Sequence, residues 1–148
     1  MGAWGCNAFE NDTVADWLAE LPASDLPADV EDALQAALPS PLALMQRLSG
    51  KQTIEYLDAD VACIALAAAE LVAASRRHGH PGMPDSALAL LRNPAASLGE
   101  DHAELARLAV KRIQENSELR DLWEESDSFD EWLAEMQSLL QRLDERPA

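Results

Sequence analysis

Three clusters along the chain hold side chains that could do chemistry. The first runs through Gly2, Trp4, Gly5, Cys6, Asn7, Phe9, Glu10, Asn11 and Asp12 to Asp16 and Trp17. Glu10, Asn11, Asp12 and Asp16 are hard oxygen ligands that could coordinate a cation or hydrogen-bond a polar ligand. Their spacing lacks a ligand loop of the kind an EF-hand uses, which favours a structural role. In that role Asn11 or Asp12 caps a helix, Trp4, Phe9 and Trp17 pack, and the glycines let the segment turn.

The second is Glu70, alone in a stretch of Ala, Leu and Val for two turns on either side. A carboxylate in such a helix has to be paired, hydrogen-bonded or protonated. As a functional group it would be an acid/base or would face a ligand. As an anchor it would accept bonds from an indole N–H, from Asn11, or from backbone donors of the N-terminal arm, and the anchor is favoured. The third cluster spans Asn116 to Ser126. Ser117 reads as a cap there, Leu119 and Trp123 share a helical face, and Glu118, Glu124 and Glu125 are acids that could join Glu10 and Glu70 in one pocket. A solvated face is the default for them.

His78 and His80 are the only neighbouring imidazoles, and no Cys or carboxylate follows them at zinc-ligand spacing. Nucleophile elbows, P-loops, dinucleotide-binding glycine fingerprints, CxxC pairs and HExxH are absent. No catalytic residue, metal ligand set or cofactor is therefore assigned.

The elements that must position these groups are helical. Residues 1–11 read as an irregular arm. A short helix from about Thr13 to Leu21 carries Val14, Trp17, Leu18 and Leu21 on one face and stops at Pro22, with Phe9 placed to fold back as a staple. A second runs from about Pro27 to Leu38, Pro27 suiting a first-turn position. Residues 42–49 allow a further turn or two, and Thr53–Leu57 is the only strand-like stretch, with no partner to make a sheet. Asp58 to about His78 is apolar all round, which marks a helix enclosed by others. Pro84–Leu91 gives a short helix. Ser97 to Glu100 and Ser128 to Glu131 both have capping-box spacing, the first opening a helix to about Glu115 and the second a last helix. Asn116 or Ser117 recaps or kinks the chain before Glu118–Glu125. The last helix carries Phe129, Trp132, Leu133, Met136, Leu140 and Leu143 on one side. The fold expected is all-α: one domain over residues 1–148, a compact bundle of five to seven helices around a central Ala-rich helix.

Composition bounds what such a bundle does. Apolar residues make up 48% of the 148, enough for a core, so the acidity is not that of a disordered tail. The net charge of −16 is uneven: residues 1–50 hold eight acids against Arg47, and residues 99–148 hold fourteen acids against six bases. Such a field repels nucleic acid and anionic membranes; it favours a basic protein partner or simply keeps a small domain soluble, and a solvated acidic surface is the default reading. Cys6 and Cys63 allow one disulfide by count, but they read rather as free, buried thiols. The first ten residues show no secretory signal, Cys6 stands where a myristoylation motif wants Ser or Thr, and Val61–Ala69 is too short to span a bilayer. A cytoplasmic location is expected. Nothing fixes the oligomeric state.

Several blocks together resemble a bacterial family labelled domain of unknown function 4259. They are Gly2-x-Trp4-Gly5 with Phe9-Glu10-Asn11-Asp12 and Asp16-Trp17, then Ala67-Ala68-Ala69-Glu70-Leu71-Val72-Ala73. The last is Asn116-Ser117-Glu118-Leu119 with Leu122-Trp123-Glu124-Glu125-Ser126. The resemblance implies a compact helical domain with no established activity, and it places the three clusters in one assembly, the arm crossing the Glu70 helix beside Trp123. The function expected is a non-enzymatic, acidic protein-interaction module, immunity- or antitoxin-like, that engages a basic partner. One alternative is a small-ligand binder or hydrolytic enzyme whose pocket uses Glu10, Asn11, Asp12, Asp16, Glu70 and Glu118 between Trp4, Trp17 and Trp123. Another is a structural or oligomeric unit with an exposed Leu/Met stripe on the last helix.

Overall fold

A computed structural model describes residues 12–21, 25–38, 57–76, 83–92 and 98–145. The arm, residues 42–49, the strand-like stretch before Leu57, the paired histidines and Ser97 lie outside them. The described residues form seven helices and no strand: α1 (Asp12–Glu20), α2 (Leu26–Ala36), α3 (Ala59–Ser75), α4 (Asp85–Leu91), α5 (Glu100–Glu115), α6 (Glu118–Glu124) and α7 (Phe129–Asp144).

The centre is α3. Twelve of its 17 residues are buried, and it touches each of the other six helices. Its sequence explains both facts, because nearly half of it is alanine, which costs least in a helix and lets neighbours approach closely, while Leu66, Leu71 and Val72 supply apolar bulk to the core. The most extensive contact is with α5, which presents Ala103, Ala106, Ala109, Val110 and Ile113 at helical spacing. α2 contributes Leu26, Val30, Ala33 and Leu34, and α1 contributes Val14 and Leu18. On α7 the buried set is Trp132, Met136, Leu139 and Leu143, with Phe129, Leu133 and Leu140 half-buried beside it. Met136 and Leu143 therefore belong to the core rather than to an exposed stripe.

Helix ends separate the capping signals that work from those that do not. An N-cap side chain reaches the N2 or N3 amide only from an extended backbone. Asp58 (φ −60°, ψ 142°) accepts from the amides of Asp60 and Val61, and Ser117 (φ −160°, ψ 159°) accepts from that of Arg120. Ser128, at φ −105° and ψ 17°, caps nothing with its side chain. Its own amide is drawn to the Ser126 hydroxyl at 3.2 Å, and that hydroxyl also donates to the Trp123 carbonyl at 2.7 Å. The tight turn after α6 thus overrides the capping box predicted there. The box predicted from Ser97 is likewise displaced, since α5 opens at Gly99. His102 takes the reciprocating role: Nδ1 accepts the Gly99 amide, and Nε2–H donates to the Pro27 carbonyl, each at 3.2 Å. That single tautomer ties the start of α5 to the first turn of α2.

Candidate functional site

Glu70 lies about two thirds of the way along α3 and is 3% exposed. Its partner is Arg142 of α7, a residue that the sequence alone did not single out. Nη1 donates to Oε2 and Nη2 to Oε1, both at 2.8 Å, while Nε donates to Ser138 at 3.2 Å one turn back on α7. The predicted anchor thus has a counter-ion from the last helix, a donor not among the indole N–H, Asn11 and arm amides expected; Asn11 and the arm lie outside the described residues. The planar guanidinium fork matches the two carboxylate oxygens, which is the strongest geometry such a pair adopts. Burial works against the charge on Arg142. The hydrogen bonds and charge of Glu70, with the fields of Glu135 and Glu145, outweigh that cost and hold its pKa above the ordinary arginine value.

Glu118 serves the other end of α3. Its Oε1 accepts the Ala59 amide at 2.9 Å, and its own amide donates to the Leu57 carbonyl at 2.9 Å. A carboxylate at this position meets the positive end of the helix dipole and satisfies one of the unpaired first-turn amides. Asp60, beside it on α3, accepts from the Thr13 hydroxyl of α1 at 3.2 Å. The thiol of Cys63, one turn further along, is free and buried; desolvation, with Asp60 and Asp58 adding to it, pushes its pKa up to about 12. Eleven residues separate Ala59 from Glu70, about 16 Å along the helix axis. Glu118 and Glu70 therefore do not share a pocket, and each has a structural partner of its own.

A third ionic group closes the far end. Arg76, the C-cap of α3 and 7% exposed, donates to Glu100 Oε2 at 2.7 Å and to the Glu145 carbonyl at 2.8 Å. Arg107 donates to the Leu143 carbonyl at 3.1 Å and reaches Glu100 Oε1 and Asp144 Oδ1 at 3.5 Å. Two guanidinium groups thus occupy two of the carbonyls at the end of α7, those of Leu143 and Glu145. Glu100 joins them, and its hydrogen bond to and charge attraction by Arg76, with Arg107 adding to both, hold its carboxyl below the usual range.

Of the other predicted residues, Asp12 and Asp16 are exposed on α1, while Trp17 and Trp123 are half-buried against the core. Trp4, Phe9, Glu10 and Asn11 lie outside the described residues. No group of three or more metal-binding side chains occurs among the described residues.

Among the described residues, exposed acids gather at the corner between α6 and α7. Glu124, Glu125, Asp127, Asp130 and Glu131 are all exposed there, within eight positions. Arg120 is the cation beside them. It pairs with Glu124 at 2.8 Å and lies 5.3 Å above the centre of the Phe129 ring, which stacks on Trp132 with centroids 6.1 Å apart.

A helical domain closed around a buried alanine-rich helix, with ion pairs fastening its core and an acidic exterior, is the class of protein that these features define. The chain belongs to the family described as domain of unknown function (DUF4259), whose model matches residues 2–135. No curated protein and no solved structure matches it. No helix among the described residues is long and apolar enough to cross a membrane.

Proposed function

We propose that the domain is a non-enzymatic interaction module whose acidic surface engages a basic protein segment, in the manner of an immunity or antitoxin protein. The supporting observation is the α6–α7 corner, where five exposed carboxylates share one turn and its flanks. Carboxylates brought together on a rigid corner generate a field that steers a cationic partner and sets its orientation. Rigidity comes from below: Ser126 and Ser117 fix the ends of α6, and Trp132 buries the start of α7. The pocket reading relied on Glu70 and Glu118 as ligand-facing acids, and their oxygens accept from Arg142 and from the α3 backbone instead.

The test is a titration with a lysine-rich helical peptide at about 50 and about 300 mM salt, a range that shortens the screening length severalfold. Affinity falls about tenfold or more across that range if exposed charge dominates binding. Neutralising the corner (Glu124→Gln, Glu125→Gln, Asp127→Asn, Asp130→Asn, Glu131→Gln) abolishes most of the binding. Neutralising Asp16, Glu20 and Asp32 on α1 and α2 leaves it largely intact. Equal losses from the two sets, or binding indifferent to salt, would overturn the proposal.

A further inference from the structure

We draw no further inference here: the strongest candidate, the acidic corner between α6 and α7, is the surface on which the proposed function already rests, and no second feature among the described residues points to a ligand there.

Discussion

Replacing Arg142 by Met removes the guanidinium and leaves the Glu70 carboxylate in a site where its side chain is 4% exposed. Breaking one side of a buried ion pair typically costs about 3–5 kcal/mol, because the survivor keeps its desolvation penalty and loses its compensation. The complementary Glu70→Leu variant removes the carboxylate from Arg142, whose side chain is 14% exposed, keeps Ser138 as an acceptor and stays in the fields of Glu135 and Glu145. Its cost is smaller, about 2–3 kcal/mol. For a chain of this length each kcal/mol moves Tm by about 2–4 °C, so Arg142→Met lowers it by roughly 10 °C. The double variant substitutes an apolar contact for the pair and falls within about 1 kcal/mol of the wild type. Urea unfolding followed by circular dichroism at two or more protein concentrations measures all four proteins, and the cycle isolates the coupling. Additive losses in the double variant, or an Arg142→Met protein as stable as wild type, would show that Glu70 is satisfied by something other than this guanidinium.

The remaining expectations concern the helix ends and the thiol. Ser117→Ala loses about 1–2 kcal/mol, since its hydroxyl both caps α6 and donates to the Ile113 carbonyl at 2.8 Å, whereas Ser128→Ala stays within about 0.5 kcal/mol; thermal melts of the two variants decide it, and equal losses contradict the backbone account of capping. Glu118→Ala costs about 1–2 kcal/mol and Glu118→Gln less, because the amide still accepts from Ala59 without meeting the helix dipole with charge. Glu100 has a lowered folded-state pKa, so its contribution is present above the ordinary carboxylate pKa of about 4.3 and is lost as pH falls through the folded value. Glu100→Gln is therefore less stable than wild type at neutral pH, and the gap between their unfolding curves closes in acid. With Cys6 changed to Ser, Cys63 reacts with a disulfide reagent at mildly alkaline pH only as fast as the chain opens; labelling much faster than unfolding would place that thiol at the surface.

Short-range signals were readable from the chain, and long-range ones were not. α3 announces itself because alanine, leucine and valine surround its whole circumference, and only an enclosed helix tolerates that. The burial of Glu70 follows from the same stretch, but its counter-ion sits 72 positions away, among six bases in residues 99–148. One signal for it was present: Arg142 adjoins the Trp132, Met136, Leu139, Leu143 stripe, so an arginine on that helix faces the edge of the core. The third member of the stripe is Leu139, where the sequence pattern points to Leu140, one position round the helix. Glu118 was visible as a polar residue after a break, while its role depends on Leu57 and Ala59 arriving beside it, which no local pattern encodes. The two capping boxes matched in letters, yet spacing says nothing about the φ and ψ of the capping residue. His102 escaped notice because imidazole is not among the usual reciprocating groups of a capping box.

The family match stops at residue 135, inside α7, and the arginine that neutralises Glu70 comes seven positions later. A fragment trimmed to the recognised boundaries would keep the acid and discard its neutraliser, together with Met136, Leu139 and Leu143 from the interior. The exposed α3 flank of such a fragment would combine bare hydrocarbon with an unmatched negative charge, a recipe for a soft, self-associating product. Anyone expressing this domain for partner searches should carry the final helix through to its last turn.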